Sequence, residues 1–213
     1  MEHGGHPGLR ERKKAATRDA LSHAAMALAL REGPDNVRVA DIAAAAGVSP
    51  RTYNNYFSSV PEAICALAAD QARRQGDALR DRPATEPLGE AIANVMLTSR
   101  SAAPDASGHL AGRDFVRMII TTPALRGEFH RASMARENSL AEAIAERVGS
   151  PPSDLFPRLL AAAYCSAYRV VTRRWLDDQN ADYRALLREA LDLIAPMAAG
   201  YRAALGAAPN LRG

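Results

Sequence analysis

Prolines and glycines divide this 213-residue sequence into segments of helical length, and this division constrains the fold more than any other feature. Within the segments, apolar residues recur every three or four positions, which is the period of an α-helix. Alanine, the best helix former, is abundant, and aromatic residues make up only 5% of the chain. The sequence therefore predicts an all-α protein. The expected helices cover about residues 10–32, 39–46, 50–56, 59–80, 87–101, 110–121, 123–148, 153–178 and 181–205.

The last two predicted helices carry the longest apolar stripes. The stripe of the final helix consists of Tyr183, Leu187, Ala190, Leu191, Ile194, Met197, Tyr201 and Leu205. The stripe of the preceding helix consists of Phe156, Leu160, Ala163, Tyr164, Ala167, Val171 and Trp175. That preceding helix has a second apolar face at Leu155, Leu159 and Val170. A helix that is apolar on two sides must be covered twice, so we expect a second copy of the chain to cover the outer face.

Neither a membrane span nor a secretory signal is indicated. The longest apolar runs, such as Leu159 to Tyr164, fall far short of the roughly 20 residues needed to cross a bilayer. Residues 1–8 lack the apolar core of a secretory signal, which predicts a cytoplasmic chain. Cys65 and Cys165 lie far apart in Ala- and Leu-rich surroundings, so we interpret both as buried free thiols.

Positive charge is concentrated near the start of the chain. The net charge of +3 is too small to indicate a nucleic-acid partner by itself. Both lysines of the protein, Lys13 and Lys14, nevertheless lie beside Arg10, Arg12 and Arg18. This cluster is either a basic arm that binds phosphates or a solvated N-terminal tail. Residues 1–9 are expected to form a disordered tail.

Residues 39–58 carry the strongest motif of the sequence. Two helices that cross through a short turn need a small residue at their contact, a glycine in the turn and apolar residues on both inner faces. Ala43 fits the contact and Gly47 fits the turn. The inward side is filled by Ile42, Ala46, Val48, Tyr53 and Tyr56. Ser49 and Pro50 are a typical helix start, with serine as N-cap and proline in the first turn, so the segment is predicted to be a helix-turn-helix.

The second helix of this motif presents a polar surface. Its outward side is formed by Arg51, Thr52, Asn54 and Asn55. Such a surface is suited to base edges and phosphates in a DNA groove. The alternative is an ordinary corner between two helices whose polar residues are merely solvated. Spacing alone leaves both interpretations open.

The same residues resemble the N-terminal DNA-binding domain of the TetR family of bacterial transcriptional regulators. The resemblance rests on Thr17-Arg18, Asp41-Ile42-Ala43, Gly47-Val48-Ser49 and Arg51-Thr52-Tyr53-Asn54-Asn55-Tyr56-Phe57, within about residues 10–67. It implies a three-helix DNA-binding domain at residues 10–59 and a C-terminal effector-binding and dimerisation bundle at residues 60–213. It further implies nine to ten helices, a homodimer formed through the last two helices, and a palindromic double-stranded DNA operator from which a small molecule releases the protein.

Individual DNA contacts follow from this resemblance. It assigns DNA binding to Lys13, Lys14, Arg18, Arg38, Ser49, Pro50, Arg51, Thr52, Asn54, Asn55 and Tyr56. Arg51 is suited to guanine, and Asn54 or Asn55 to adenine, because these side chains form paired hydrogen bonds with those bases. The Tyr56 hydroxyl and the amides of the helix after Ser59 are expected to bind phosphates.

Two positions depart from the family pattern. Val60 stands where the family commonly has a lysine that binds a phosphate. Pro50 removes an amide and a polar side chain that the family often uses for DNA. Both changes predict weaker nonspecific affinity and give more weight to the basic residues near the N-terminus.

The C-terminal part contains candidates for an effector site. Side chains suited to line an apolar cavity are Met96, Phe115, Met118, Ile119, Phe129, Met134, Tyr164, Tyr168 and Trp175. Each of them is equally a candidate for the ordinary helical core. A cavity of this kind predicts a small apolar or amphipathic effector. The alternative is a DNA-binding regulator or architectural protein with no small-molecule effector.

Motifs of catalysis and cofactor binding are missing from the sequence. It has no phosphate-binding loop, no Gly-x-Ser-x-Gly elbow, no His-Glu-x-x-His pair and no dinucleotide fingerprint. The histidines lack the spacing of metal ligands. We therefore expect a regulator without enzymatic activity, cofactor or metal.

Overall fold

The structure, a computed structural model, describes residues 8–98 and 109–207, and the side chains of residues 8–98 and 112–199. Within those ranges the chain is all-helical, as predicted. The helices are α1 (Leu9–Glu32), α2 (Val39–Ala45), α3 (Pro50–Asn54), α4 (Val60–Arg80), α5 (Leu88–Thr98), α6 (His109–Thr121), α7 (Pro123–Val148), α8 (Leu155–Asp177) and α9 (Tyr183–Ala207). The predicted tail at residues 1–9 and the predicted end of α5 at residue 101 lie largely outside the described residues.

The described helix ends lie close to the predicted ones, and the end of α3 has an identifiable cause. The sequence predicts a helix to Tyr56, whereas α3 ends at Asn54. The amide of Asn55 donates to the carbonyl of Thr52 at 3.1 Å, and that of Tyr56 donates to the carbonyl of Tyr53 at 2.9 Å. These hydrogen bonds span three residues, so the chain tightens here and leaves the α-helix.

Contacts within the chain divide the described residues into two units. The first unit consists of residues 8–68 and 109–131, and the second consists of residues 69–98 and 132–207. The helix-turn-helix shares its unit with α6 and the start of α7. The predicted domains, with a boundary near Ser59, divide the chain by function. Contacts divide the described residues differently, so the functional boundary stays a prediction.

The core of the first unit holds α2 and α3 in place. Its largest fully buried side chains are Leu21, Ile42, Tyr53, Ile64, Ile119 and Leu125. Burying a large apolar side chain contributes roughly 1.5–3 kcal/mol relative to leaving it exposed. Helices as short as α2 and α3 are not stable alone in water, so this packing determines their positions.

The core of the second unit is built from α4, α5, α7, α8 and α9. Its fully buried side chains include Leu79, Ile92, Leu140, Ile144, Leu160 and Tyr164. α4 and α7 approach each other closely at Gly76, where an added Cβ would lie 2.1 Å from the Ser139 Oγ and 2.6 Å from its carbonyl oxygen. The Ser139 hydroxyl donates to the carbonyl of Arg73 at 3.0 Å across the same contact. Only glycine fits at position 76 without moving a helix.

The outer sides of α8 and α9 remain apolar. Leu155, Leu159 and Val170 of α8 are 73%, 52% and 66% exposed, which confirms the second apolar face predicted for this helix. On α9, however, Met197 is 50% exposed, so its assignment to the buried stripe is wrong. The buried stripe continues instead through Ala198, the next residue, because an α-helical period from Leu191 reaches that position. The side chains of residues 201 and 205 lie outside the described part.

No helix among the described residues has both the length and the apolar character that a transmembrane segment requires.

Candidate nucleic-acid interface

The turn between α2 and α3 has the geometry that the sequence predicts. Gly47 has a φ of 68°, a left-handed conformation that side chains other than glycine rarely adopt. The amide of Val48 donates to the carbonyl of Ala43 at 2.9 Å, which closes the turn. Ile42 and Ala43 are completely buried beneath it. The small residue at position 43 therefore lies at the helix contact, as expected.

The start of α3 is fixed by its N-cap. The Ser49 Oγ accepts a hydrogen bond from the amide of Thr52 at 3.1 Å and lies 2.9 Å from the Thr52 Oγ1. Pro50 follows in the first helical position, where its missing N–H costs nothing. The predicted helix start is confirmed. Since their hydroxyls are bonded to each other, Ser49 and Thr52 present an ordered pair of oxygen atoms at the start of α3.

Tyr53 anchors the inner side of α3. Its side chain is 1% exposed, and its hydroxyl donates to the carbonyl of Ser59 at 2.8 Å. Its ring lies 5.6 Å from that of Phe57, centre to centre. Burial, helped by the negative charge of Glu62, raises the pKa of Tyr53 to about 12. Tyr53 therefore fixes the orientation of this five-residue helix, because its ring is buried and its hydroxyl is hydrogen-bonded.

The outer side of α3 is exposed and polar. Pro50, Arg51, Asn54 and Asn55 are exposed, and Thr52 and Tyr56 are half-buried. Arg38, the residue before α2, is exposed as well. Within the described part of the chain, no group forms a hydrogen bond with the side chains of Arg51, Asn54 or Asn55. The predicted outward orientation is confirmed, and their contact with DNA stays a prediction.

The basic residues of α1 divide into two kinds. Arg10, Arg12, Lys13 and Lys14 are exposed on the first turns of α1. Arg18 instead lies over the ring of Phe57, at 4.6 Å from its centre, and approaches the carbonyl of Tyr56 at 3.5 Å. This cation–π contact joins α1 to the segment after α3. Arg18 therefore has a structural role in addition to any contact with DNA.

The start of α4 is partly occupied by the chain's own groups. The Glu62 carboxylate accepts the amide of Ser58 at 2.8 Å and its hydroxyl at 2.7 Å. The Ser59 Oγ accepts the amide of Glu62 at 3.2 Å. These hydrogen bonds resemble a capping box, except that Glu62 accepts from Ser58, the residue before the N-cap Ser59. Fewer amides than the sequence predicts are therefore left for a phosphate at the start of α4. The acidic Glu62 follows two residues after Val60, the position at which the family commonly has a lysine.

The nine effector candidates divide between the two units. Phe115 and Ile119 are buried, and Met118 and Phe129 half-buried, in the core that holds α1–α3. The candidates in the second unit are Met96, Met134, Tyr164, Tyr168 and Trp175. Met134 is 43% exposed. Each unit thus contains its own set of candidates, and whether either set binds an effector stays a prediction.

The second unit also contains an open cleft of about 820 Å³. It is lined by Ala84, Thr85, Glu86, Pro87, Leu88, Gly89, Glu90, Arg147, Val148, Ala195, Ala198 and Ala199. None of the nine candidates lines it. The Arg147 guanidinium donates to the carbonyl oxygens of Arg82 at 3.0 Å, Pro83 and Glu86 at 2.9 Å, so its donors hold the loop between α4 and α5.

Sequence reasoning missed a buried arginine on α7. Arg136 is 6% exposed, and its guanidinium lies 4.5 Å from the centre of the Tyr168 ring. A signal for it was present, because Arg136 lies on the buried stripe of α7 between Ala132 and Leu140, at helical spacing. A charged residue at an apolar position of such a stripe marks a site that needs an explanation.

These features define a helix-turn-helix protein whose second helix is anchored from inside and exposes a polar face. Residues 21–59 match the family model described as "Bacterial regulatory proteins, tetR family", and residues 86–199 match the model described as "MftR C-terminal domain". The HTH-type transcriptional regulator TcmR of Streptomyces glaucescens is 36% identical over 202 residues, which cover 89% of this chain and 88% of TcmR. This chain belongs to the TetR family of transcriptional regulators, and its helix-turn-helix is the DNA-binding domain of that family.

Solved structures of other proteins share the fold. The SmeT–triclosan complex has a TM-score of 0.60 at 17% identity and covers 85% of this chain and 90% of SmeT. NalD, the secondary repressor of the MexAB-OprM multidrug efflux pump in Pseudomonas aeruginosa, has a TM-score of 0.57 at 19% identity and covers 87% of this chain and 97% of NalD. At these identities the likeness concerns the fold alone.

Proposed function

We propose that this chain is a transcriptional repressor that binds a palindromic operator as a homodimer and leaves it when a small apolar or amphipathic ligand binds. The observation that carries the proposal is the construction of α3. Its inner side is fixed by the buried Tyr53, while Arg51, Asn54 and Asn55 on its outer side have no hydrogen-bond partner among the described residues. Polar side chains on a rigid helix are suited to read base edges in the major groove.

Within this proposal the exposed residues have different roles. Arg51 pairs with a guanine, and Asn54 or Asn55 pairs with an adenine, each contact discriminating by about 1–3 kcal/mol. Arg38, Ser49, Thr52 and Tyr56 hold the backbone and set the register, as phosphate contacts do in general. Pro50 sets the start of α3, and Lys13, Lys14 and the other exposed bases of α1 add nonspecific attraction.

The proposed homodimer uses the outer faces of α8 and α9. Leu155, Leu159 and Val170 of α8 are more than half exposed, as is Leu193 of α9. Apolar faces of this kind are typical of interfaces between subunits. A two-fold axis would present two copies of α3 to successive major grooves, about 34–36 Å apart or a multiple of that.

The proposed effector acts by linkage. A ligand that prefers a conformer with another separation of the two α3 helices lowers DNA affinity, and DNA lowers ligand affinity by the same factor. A coupling of about 1–3 kcal/mol changes affinity by roughly 5- to 150-fold. SmeT, a protein of the same fold, is solved with triclosan, which supports an effector. NalD, another protein of the same fold, is a repressor, which supports the repressor role. We place the effector in the second unit, because the four candidates of the first unit belong to the core that holds α1–α3.

The proposed DNA contacts are tested by binding titrations. The DNA is a duplex that the wild-type protein selects from random sequences. Arg51→Ala should weaken the preferred sequence by about 1–3 kcal/mol and relax the preference at one base pair of each half-site. Tyr56→Phe should weaken all sequences alike and by less. Arg31→Ala is the matched control, because Arg31 is an exposed arginine of the same unit that pairs with Glu32. Equal affinities for Arg51→Ala and Arg31→Ala would contradict the assignment.

Effector control is tested separately from DNA binding. A panel of small metabolites is screened for an increase in the melting temperature, because a ligand that binds only the folded state raises apparent stability. Each compound that does so is then added to the protein–DNA complex. Release of DNA supports the proposal. Stabilisation without release by every such compound favours a DNA-binding regulator that has no effector.

A further inference from the structure

A positive charge is buried in the second unit without an anion to balance it. Arg136 is 6% exposed, and its Nε has no hydrogen-bond partner. Within the described residues no carboxylate forms an ion pair with Arg136, and no carbonyl accepts from it. Burying a charge is costly unless the charge is paired and its donors are bonded. Arg136 is therefore a buried cation for which the described residues supply no anion.

The neighbouring residues do not supply that anion. Glu137 follows Arg136 directly, and side chains of consecutive helical residues do not face each other. The ring of Tyr168 lies under the guanidinium at 4.5 Å and attracts the charge. A ring face, however, offers no acceptor in the plane of the N–H donors of the guanidinium.

Further buried polar atoms belong to residues near Arg136. Tyr183 of α9 packs edge-on against Tyr168 at 6.2 Å and against Trp175 at 5.4 Å. Burial, and after it Tyr168, raise the pKa of Tyr183 above its usual range, whereas Thr172 and Arg136 lower it. The Tyr168 ring contacts both Tyr183 and the Arg136 guanidinium, so these three side chains form one cluster. The hydroxyl oxygens of Tyr183 and Thr172 are buried near each other, and neither makes a hydrogen bond of ordinary geometry among the described residues. Hydroxyl groups of this kind are available to donate to a negatively charged group.

We propose that Arg136 binds the anionic group of the effector, so that the effector is an organic anion whose apolar part lies against the aromatic side chains of α8 and α9. This inference rests on the effector control proposed above and names the chemistry of the ligand. A guanidinium forms paired, charge-assisted hydrogen bonds with a carboxylate or a phosphate, which are stronger than neutral ones. Thr172 and Tyr183 supply further donors, and Tyr168 and Trp175 supply the apolar wall.

The inference is tested with two fluorescent probes that share one skeleton. Anilinonaphthalene sulfonate carries an anionic group, and phenylnaphthylamine is the same skeleton without it. In full-length protein, Arg136→Gln should weaken the sulfonate by about tenfold or more, because a hydrogen bond to a charged group contributes that much, and should leave the neutral probe within about twofold. Arg169→Gln is the matched control, because Arg169 is an exposed arginine of α8 and the charge change is the same. An unchanged affinity for the sulfonate overturns the proposal, as does an equal loss of both probes.

Stability without any probe separates a binding role from a structural one. If Arg136 awaits an anion, Arg136→Met should melt at the same temperature as the wild type or higher, because an unpaired buried charge is replaced by an apolar chain of similar length. If its contact with Tyr168 stabilises the fold, Arg136→Met should melt at a lower temperature, and the proposal is wrong.

The wild-type protein provides a measurement that does not depend on any variant folding. Decanoate should displace the bound sulfonate probe at concentrations where decanol does not, since the two differ only in the anionic group. Equal displacement by both overturns the proposal.

The outcome for DNA distinguishes this inference from the proposed function. If anion binding depends on Arg136 but releases no DNA, the anion site is supported and the effector role is contradicted. If an organic anion releases DNA equally well from the wild type and from Arg136→Gln, the effector role is supported and the anion site at Arg136 is contradicted.

Discussion

The two units of the molecule differ in how they satisfy buried polar groups. In the first unit the Tyr53 hydroxyl donates to the carbonyl of Ser59, and the Ser22 hydroxyl donates to the carbonyl of Arg18 at 2.9 Å. Among the described residues, every buried side-chain nitrogen or oxygen atom without a partner lies in the second unit. These atoms belong to Gln75, Arg136, Ser150, Thr172 and Tyr183.

This difference fits two kinds of task. Buried polar groups are normally bonded, so each exception asks for an explanation such as a ligand or an ordered water. In the unit that contains the helix-turn-helix, the described residues satisfy every buried side-chain nitrogen and oxygen atom, and the polar side chains of α3 are exposed. The second unit leaves buried polar atoms unbonded, which fits the small-molecule site that we propose for it. The experiments that follow test this contrast, starting with the largest expected effect.

The first prediction concerns the close contact of α4 and α7 in the second unit. Gly76→Ala should lower the free energy of unfolding by about 1–3 kcal/mol, because the new methyl group collides with backbone as well as side-chain atoms of Ser139. Alanine otherwise favours a helix by roughly 0.5–1 kcal/mol over glycine. Gly127→Ala in α7 is the matched control, because no atom lies within 4 Å of its added Cβ. Denaturant unfolding measures both, and a Gly76→Ala protein as stable as Gly127→Ala would show that the contact is loose.

The second prediction compares one tyrosine hydroxyl from each unit. Tyr53→Phe should cost about 1 kcal/mol of unfolding free energy, because it removes a made hydrogen bond to Ser59. Tyr183→Phe should cost about 0.5 kcal/mol or less, because the Tyr183 hydroxyl makes no hydrogen bond of ordinary geometry among the described residues. Thermal unfolding of the two variants tests the contrast directly. Equal losses would mean that the second unit satisfies its buried polar groups after all.

The third prediction concerns the loop between α4 and α5. Glu86 accepts from Arg82 at 2.6 Å and from Asn94 at 2.8 Å, and these hydrogen bonds, the one from Arg82 first, lower the pKa of Glu86 to about 2. A carboxylate with a lowered pKa stabilises the fold above its ordinary pKa and stops doing so as the pH falls towards the lowered value. The wild type should therefore melt at a higher temperature than Glu86→Gln at about pH 6, and this difference should shrink as the pH falls towards about 2. The effect should be small because the pair is on the surface. A constant difference over this range would contradict it.

Much of the fold follows from the sequence because its causes are local. Prolines, glycines and the helical period determine where helices begin and end, and Gly47 with Ala43 identifies the turn. The outward side of α3 is likewise a matter of period, once Tyr53 is assigned to the inner side.

The remaining features depend on contacts between distant segments. Nothing in the local sequence places Arg18 over Phe57, and the hydrogen bonds of Glu62 at the start of α4 compete with a phosphate in a way that charge alone does not reveal. The division of the effector candidates also follows from packing, since Phe115 and Ile119 belong to the core of the reading unit. Arg136 was visible as a charge on an apolar stripe, but only the structure shows that no anion accompanies it.

The central claim is that the outward side of α3 reads DNA in two symmetric copies. Selection of bound sequences from random duplexes, performed with wild type and with Arg51→Ala, tests it most directly. We predict that the wild type enriches two inverted half-sites with centres about 34–36 Å apart, or a multiple of that, and that Arg51→Ala keeps the spacing but loses the preference at one base pair in each half-site. An enriched site without two-fold symmetry, or identical base preferences for both proteins, would contradict the claim.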